Sequence, residues 1–355
     1  MSKEEVHMQR CLELARLGAG HVSPNPLVGA VLLHDNRIIG EGYHQQYGQP
    51  HAEVNCINSV KKEDEPLLQK STIYVSLEPC AHFGKTPPCA DLIIRKRIPK
   101  IVVGCRDPFE AVNGKGIEKL LYAGLDVTMS TLDKACIFLN RRFFTFHKKK
   151  RPYILLKWAQ TADGSIAYQN QAKNDRLYIS NDICNRLVHQ WRSQEAAILV
   201  GTRTATLDNP SLTNRLWTGR RPIRLAIDKN LTINKNNALY NSDATTILFT
   251  KKEKQNEKNI QFHTIKNDTD YIDEILQYGY NNNIQSILVE GGTQLLQSFI
   301  DRGLWDEARI ITNEHLMVKN GLKAPTFGHT LTINQQHRLD NNRVDIIYHQ
   351  HLDAL

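Results

Sequence analysis

The chain alternates between amphipathic, helix-like segments and short apolar, strand-like runs. Apolar positions three and four residues apart predict helices, and runs rich in Val, Ile and Leu bounded by Gly, Pro or polar residues predict strands. Over the first half the pattern predicts helix 4–17, strands 28–33 and 37–43, helix 51–60, strand 71–77, helix 89–97 and strand 100–104. This order predicts a central sheet with helices on its faces, and hence an α/β domain.

The alternation restarts after Pro152. It predicts strands 154–158, 197–200, 223–227, 245–249, 286–289 and 309–312, and helices 182–192, 270–278 and 293–302. Strands separated by helices predict a second α/β domain with a mostly parallel sheet. A chain of 355 residues is longer than one hydrophobic core usually serves, so we predict two domains, at 1–146 and 152–355.

Composition excludes two classes of protein. Stretches of about eighteen apolar residues are absent, and the polar N-terminus leads directly into a helix without the apolar core of a signal peptide. Seven cysteines without regular spacing favour a reducing compartment over a disulfide framework. We therefore expect a cytoplasmic protein that has no membrane partner and is not a secreted disulfide scaffold.

The positive charge suggests an anionic ligand. The formal net charge is +8 and the isoelectric point is near 9.0, but the basic residues are mostly scattered. Their densest run, 148–151, precedes Pro152 and is interpreted as a solvated linker, and the polar tract 251–258 is predicted to be an exposed loop. We expect a small phosphorylated molecule, and not a nucleic acid, as the partner.

Three residues of the first half, His51, Cys80 and Cys89, indicate a catalytic zinc site. A catalytic zinc keeps three protein ligands and a fourth position for water, whose pKa it lowers toward about 7. Glu53 lies two residues after His51 and can move the proton of that water to a leaving amine. Each residue alone is more often a cap, surface or core residue. Together, with a predicted strand between them, they favour a zinc deaminase in which the glutamate is not a ligand.

A second candidate site lies where predicted strand 286–289 meets predicted helix 293–302. The residues between them, Glu290-Gly291-Gly292, form a turn with two glycines. Such a turn can bring backbone N–H groups and a helix N-terminus against phosphate oxygens, although many strand-to-helix turns carry glycine for steric reasons alone. It is not the six-residue dinucleotide fingerprint.

Longer blocks of sequence surround these motifs. They read P-N-P-L-V-G (24–29), G-E-G-Y-H (40–44), P-H-A-E-V (50–54), L-E-P-C-A-H-F-G-K-T-P-P-C (77–89) and D-P (107–108), then L-K (156–157), D-G (163–164), I-L-V-G (198–201), D-N-P-S-L-T (208–213) and V-E-G-G (289–292). Over nearly its whole length the chain resembles the bifunctional deaminase-reductases of riboflavin biosynthesis. The long block accounts for the eight residues between Cys80 and Cys89.

The resemblance implies a fold, two reactions and two cofactors. The fold is a cytidine-deaminase-like domain followed by a dihydrofolate-reductase-like α/β domain. The first domain, with one Zn²⁺ per chain, would hydrolyse an exocyclic amine of 2,5-diamino-6-(5-phosphoribosylamino)pyrimidin-4(3H)-one. The second would use NADPH to reduce the ribosyl group to ribityl.

The resemblance also implies roles for individual residues. Substrate of the deaminase would contact Asn25, His44, His82 and Lys85; substrate of the reductase would contact Arg192, Leu212, Arg215 and Glu290; and NADPH would contact Ala159, Tyr178, Thr204, Asp208, Gly291, Gly292 and Thr293. Lys157 and Asp208 are the candidates for the ring-opening chemistry. The chain departs from the family pattern at Tyr178, where Trp is expected, at Arg176, where Ser is expected, and in a longer loop at 169–175.

Two other interpretations remain open from the sequence. The chain could be a zinc deaminase of a single activity, acting on a nucleotide or a tRNA base, with a second domain that is not catalytic. It could also be a non-catalytic metal-binding or interaction protein, an interpretation that the presence of Glu53 disfavours. The sequence leaves the formation of a homo-oligomer open.

Overall fold

The computed structural model describes residues 2–83, 87–172, 176–267, 270–328 and 330–355. The chain divides into two compact units, one running up to Lys149 together with Leu355 and the other from Lys150 to Ala354. Within the described residues, none of the helices has both the length and the apolar character needed to cross a bilayer.

The first unit is a five-stranded sheet covered by helices, as far as the described residues show. Its elements are α1 (Lys3–Arg16), β1 (Gly29–His34), β2 (Arg37–Tyr43), α2 (Ala52–Asn58), a 3-10 helix (Glu65–Lys70), β3 (Thr72–Val75), α3 (Cys89–Arg95), β4 (Lys100–Val103), α4 (Lys115–Tyr122), β5 (Asp126–Met129), α5 (Asp133–Leu139) and α6 (Arg141–Lys149). The strand order is β2-β1-β3-β4-β5, with β1 antiparallel to its two neighbours and β3, β4 and β5 parallel.

Strand β1 shows why this sheet carries helices on both faces. Successive side chains of a strand point to opposite faces. Ala30 and Leu32 belong to an apolar cluster that includes residues of α2 and α3, whereas Val31 and Leu33 belong to a second cluster with residues of α1 and α6. Because both faces of the strand are apolar, each needs a covering layer. The predicted α/β arrangement of this half is confirmed.

The second unit is built on a larger sheet. Its elements are β6 (Tyr153–Thr161), β7 (Ser165–Tyr168), α7 (Asp182–Gln194), β8 (Ala197–Val200), α8 (Thr202–Asp208), β9 (Ile223–Ile227), a 3-10 helix (Ala238–Tyr240), β10 (Thr246–Thr250), β11 (Ile260–Thr264), α9 (Tyr271–Asn281), β12 (Ser286–Gly291), α10 (Thr293–Asp301), β13 (Glu307–Asn313), β14 (Gly321–Lys323), β15 (Gln335–Leu339), β16 (Asn342–Tyr348) and a 3-10 helix (Gln350–Ala354).

The strand order of the second sheet confirms the mostly parallel prediction. In the described part of the chain it has nine strands in the order β11-β10-β9-β8-β12-β6-β13-β16-β15, and β14 pairs separately with β7. The strands from β11 to β13 are parallel to their neighbours, and β16 and β15 are antiparallel. Buried Leu156, Leu199 and Val289 from the centre of the sheet join the largest apolar core. The carboxyl ends of β6, β8 and β12 therefore meet at one edge, where ligands of parallel sheets bind.

The interpretation of 148–151 as a solvated linker is right only in part: the boundary between the two units falls between Lys149 and Lys150, and Lys148 and Lys150 are exposed, but Arg151 is largely buried. Lys148 and Lys149 belong to the last turn of α6. The Arg151 guanidinium is only 13% exposed and donates two hydrogen bonds, of 2.6 and 2.9 Å, to the carboxylate of fully buried Asp306. A buried carboxylate needs such a partner, which the local sequence around Arg151 did not reveal because Asp306 lies far along the chain.

Candidate active sites in the two units

The side chains of His51, Cys80 and Cys89 converge in the first unit. His51 is the N-cap of α2, Cys80 follows β3 in a loop, and Cys89 is the first residue of α3. The imidazole makes no capping bond to its own helix. Instead its Nδ1 lies 3.6 Å from the Sγ of Cys80 and 3.4 Å from that of Cys89, and the three atoms lie within 4.8 Å of one another.

These distances fit a tetrahedral zinc site. A nitrogen and a sulfur bonded to one tetrahedral zinc at their usual lengths are about 3.5 Å apart. The Cys80 thiol has a lowered pKa because it accepts hydrogen bonds from the Cys89 thiol and from the backbone N–H of Cys89, and because His51 lies beside it. The site therefore favours a thiolate, the form of cysteine that binds a metal.

Glu53 lies beside this cluster in the first turn of α2. Its side chain is 3% exposed. Burial, with a further contribution from Cys80, raises the pKa of the Glu53 carboxyl to about 7. A carboxyl group with such a pKa exchanges a proton readily near neutral pH, which is what a general acid and base must do. The position of α2 follows from Gly42 on β2, where a Cβ atom would come within 2.2 Å of the backbone nitrogen of Cys56.

A neutral histidine, His44, lies next to His51. The ring nitrogens of His44 lie 3.0 Å from the amide nitrogen of Asn25 and 3.1 Å from the carbonyl oxygen of Pro50. We assign the ring proton to Nδ1, which donates to Pro50, so that Nε2 accepts from Asn25. Burial lowers the pKa of His44, and its ring centroid is 5.3 Å from that of His51. Asn25 and His44 thus form one polar wall beside the metal ligands.

Of the other two residues predicted to contact the deaminase substrate, the structure describes one. His82 is exposed, and its ring lies edge-on to Phe109 with the centroids 6.1 Å apart. Lys85 lies outside the described residues. The role of Glu78 was not predicted from the sequence: its buried carboxylate accepts hydrogen bonds from four backbone N–H groups, those of Asp107, Gly114, Gly116 and Ile117. Its position two residues before Cys80 was the available signal.

The second unit contains a cavity of about 380 Å³. Most of the residues predicted for the reductase line it: Lys157, Ala159, Tyr178, Arg192, Thr204, Asp208, Leu212, Arg215, Glu290 and Gly291. They come from β6, α7, α8, β12 and the loops after them. Gly292 and Thr293 are not among the lining residues; Gly292 is the N-cap of α10, and a Cβ on it would lie 3.2 Å from the Oγ1 of Thr204.

Arg192 and Glu290, which both line this cavity, form a buried ion pair. Arg192 donates two hydrogen bonds of 2.6 Å to the two carboxylate oxygens of Glu290 and a third, of 3.0 Å, to the carbonyl oxygen of Thr213. Burial would raise the pKa of Glu290, but the Arg192 guanidinium holds it at about 2. Burial lowers the pKa of the Lys157 ammonium, and Glu290 opposes that shift. A lysine with a lowered pKa is suited to proton transfer.

The remaining predicted residues of the cavity differ widely in exposure. Asp208 is the last residue of α8 and accepts a hydrogen bond of 2.8 Å from the side chain of Gln171. Tyr178 is 81% exposed, whereas Leu212 is 1% exposed with a φ of 47°, a conformation unusual for leucine. His189, which was not predicted from the sequence, lines the cavity one helical turn before Arg192. Burial, together with Arg192, lowers its pKa to about 4.

Comparison with known proteins identifies both units. Residues 1–105 match the cytidine and deoxycytidylate deaminase zinc-binding region, and residues 152–317 match the RibD C-terminal domain. The riboflavin biosynthesis protein RibD of Aquifex aeolicus is 37% identical over 318 residues, covering 88% of this chain and 87% of that protein. RibD of Bacillus amyloliquefaciens is 38% identical over 313 residues, covering 86% and 82%.

A solved structure agrees over the full length. The crystal structure of a diaminohydroxyphosphoribosylaminopyrimidine deaminase/5-amino-6-(5-phosphoribosylamino)uracil reductase from Thermotoga maritima matches with a TM-score of 0.88 at 34% identity, covering 98% of both chains. RibD of Acinetobacter baumannii matches with a TM-score of 0.86 at 28% identity, covering 98% of this chain and 99% of that one.

Fold, sites and comparisons define a class of enzyme: a zinc-binding, cytidine-deaminase-like domain followed by a reductase domain, acting on small molecules. The chain belongs to the RibD family of riboflavin biosynthesis. The predicted fold class and the predicted pair of activities, deaminase and reductase, are confirmed. A deaminase with a single activity is disfavoured, because the second half matches a reductase domain.

Proposed function

We propose that the first domain, residues 1–146, deaminates 2,5-diamino-6-(5-phosphoribosylamino)pyrimidin-4(3H)-one with one zinc ion per chain. His51, Cys80 and Cys89 would hold the metal, and their spacing carries this proposal. Zinc, when bound, supplies a Lewis acid that makes water a nucleophile at neutral pH.

The side chains around the metal ligands divide the remaining work. Glu53 takes the proton of the attacking water and delivers it to the leaving amine, for which its raised pKa suits it. The side-chain amide of Asn25 and the imidazole of His44 are hydrogen-bonded to each other, and together they orient the pyrimidine. His82 and Lys85 contact the ribosyl phosphate side of the substrate, with Lys85 as the cation for the phosphate.

We propose that the second domain, residues 152–355, reduces the ribosyl group of the deaminated product in the cavity lined by Lys157, Arg192 and Glu290. NADPH, when bound, supplies the hydride. Lys157 and Asp208 transfer the proton that opening of the ribose ring requires. The substrate contacts are Arg192, Leu212, Arg215 and Glu290, and the cofactor contacts are Ala159, Tyr178, Thr204, Asp208, Gly291, Gly292 and Thr293.

The cavity supports this assignment by its charge. The Arg192 guanidinium already has a carboxylate partner in Glu290, whereas Arg215 is exposed at the rim. Arg215 is therefore the better placed of the two for a substrate phosphate, and the Arg192 and Glu290 pair is the better placed for the sugar hydroxyls. We propose small phosphorylated pyrimidines as the partners, with no nucleic acid, a cytoplasmic location, and an oligomeric state left open.

Both activities can be tested in one tube. The zinc-loaded protein is supplied with the diaminopyrimidinone ribosylamino phosphate and NADPH, while ammonia release and NADPH absorbance are followed together. Both signals are expected. The variant Lys157→Met is expected to release ammonia at the normal rate without oxidising NADPH. Ammonia release by the wild-type protein without NADPH oxidation would contradict the reductase assignment.

A further inference from the structure

The carboxylate of Glu78 joins its own segment, just before Cys80, to residues 107–117 of the first unit. Its Oε2 accepts hydrogen bonds from the backbone N–H groups of Asp107 at 3.1 Å and Gly114 at 2.9 Å. Its Oε1 accepts from those of Gly116 at 2.9 Å and Ile117 at 3.3 Å. The side chain is 4% exposed. Both oxygens of a buried carboxylate are thus satisfied by one segment, residues 107–117, which comprises the loop before α4 and the first turn of α4 and which we call the clamped loop.

The clamped loop packs directly against the peptide that precedes Cys80. A Cβ atom on Gly116 would lie 1.9 Å from the carbonyl oxygen of Pro79. Only glycine permits this approach. The backbone N–H of Glu78 also donates to the carbonyl oxygen of Cys105, at 2.9 Å. The segment from Glu78 to Cys80 is therefore held both by the clamped loop and by Cys105, which follows β4.

The same loop reaches the exposed side of the zinc site. Phe109, two residues after Asp107, has its N–H bound to the Asp107 carboxylate at 2.7 Å, and its ring lies edge-on to His82. His82 is two residues after Cys80. The clamped loop consequently meets the Cys80 segment both before and after the cysteine.

We propose that Glu78 is a positioning residue of the zinc centre, whose carboxylate, by clamping residues 107–117, holds Cys80 where its thiolate can share a metal with His51 and Cys89. This inference rests on the proposed deaminase function. It assigns to Glu78 no contact with the substrate or the metal. Groups that orient metal ligands typically change metal affinity or activity by about 10-fold to 100-fold when they are replaced.

The chemistry of the clamp makes a sharp distinction between substitutions. Glutamine has one acceptor oxygen, and its amide group would face two N–H donors. Glu78→Gln should therefore lose about as much as Glu78→Ala, although it is nearly the same size. Gly116→Ala attacks the clamp from the loop side and leaves the carboxylate intact. Glu41→Gln is the matched control, because Glu41 is also a hydrogen-bonded carboxylate of this unit, but it is only partly buried and pairs with Arg10.

The first measurement is the dissociation constant for Zn²⁺, obtained by competition with a chromophoric chelator. The variants Glu78→Gln, Glu78→Ala and Gly116→Ala are expected to bind Zn²⁺ at least about 10-fold more weakly than the wild type, and Glu41→Gln is expected to bind it equally well. With Co²⁺ in place of Zn²⁺, the thiolate absorption bands of the Glu78 variants should weaken or shift. Reduction of the deaminated substrate by the same samples reports that the rest of the chain is folded.

Excess Zn²⁺ should restore most of the deaminase kcat of Glu78→Gln, because the ligands and Glu53 remain present. The inference about Glu78 would be overturned if Glu78→Gln bound Zn²⁺ as tightly as the wild type, or if Glu41→Gln weakened binding equally. Zinc bound by the wild-type protein would still support the proposed deaminase function in either case. A wild-type protein that binds no Zn²⁺ and releases no ammonia would instead overturn the proposed function itself.

Discussion

Replacing Glu290 with glutamine removes one partner of the buried ion pair in the second unit. The side chains of Arg192 and Glu290 are 12% and 8% exposed. The pKa of Glu290 is held at about 2 instead of 4.5, which at 1.36 kcal/mol per pKa unit corresponds to about 3 kcal/mol. Breaking a buried pair by removing one partner costs about 3–5 kcal/mol by independent reasoning, since the other charge is left uncompensated. We expect Glu290→Gln to destabilise the unit by about 3 kcal/mol.

Tryptophan fluorescence isolates the unit that contains this pair. All four tryptophans lie in it, at Trp158, Trp191, Trp217 and Trp305. Urea unfolding followed by their fluorescence therefore reports the free energy of unfolding of the second unit alone. The matched control is Asp273→Asn, which breaks the exposed pair with Arg302, whose side chain is 36% exposed, and should cost less than about 1 kcal/mol.

The pH dependence of the free energy of unfolding is a further test of this ion pair. A carboxyl group whose pKa is lowered by folding stabilises the protein above its unfolded pKa, and this contribution is lost as the pH falls through the folded pKa. The difference in stability between the wild type and Glu290→Gln should be full at neutral pH and should shrink between about pH 4.5 and about pH 2. A loss no larger than that of Asp273→Asn, or a difference independent of pH, would show that the Arg192 and Glu290 pair does not stabilise the unit in this way.

Three further changes test the two sites. Glu53→Gln should retain Zn²⁺ and lose about 10²-fold or more of the deaminase kcat while reduction of deaminated substrate is unchanged; normal ammonia release would show that another group moves the proton. Gly42→Ala should lower zinc occupancy and destabilise the first unit by about 1–3 kcal/mol, measured by metal analysis and circular dichroism, because its Cβ would meet the Cys56 backbone; a normal metal content would contradict the packing. Gly292→Ala should weaken NADPH binding, followed by cofactor fluorescence, since its Cβ would crowd Thr204; unchanged affinity would place the cofactor elsewhere.

The apolar pattern predicted the central strands of both sheets, whereas several helices and several strands toward the sheet edges were missed. Strand 197–200 and strand 223–227 were predicted with the bounds that the structure shows, because each is a short run dominated by apolar residues, with buried Arg224 as the exception. Helices α4, α5, α6 and α8 and strands β5, β7, β11, β14, β15 and β16 were not predicted. Strand β15 is polar and mostly exposed at the edge of its sheet, so nothing in its own pattern distinguishes it from a loop.

The candidate sites show the same division. The spacing of His51, Glu53, Cys80 and Cys89 was enough to predict a zinc centre, because a metal constrains the type and number of its ligands before any fold is known. The sequence also indicated many of the strands and helices, since burial on one or both faces sets the period of apolar residues. The type of metal ligand and the period of apolar residues are local properties, so both can be predicted from the sequence.

The contacts between residues that are distant along the chain depend on the tertiary structure. It paired Glu290 with Arg192, Asp306 with Arg151, and Glu78 with the N–H groups of residues 107–117. It also set the pKa values of Glu53, Lys157 and His189, which depend first on burial. The physical reason is that a buried charge is tolerated only with a partner at hydrogen-bonding distance, and the strand order of the sheet, not the spacing along the chain, determines which partner arrives there.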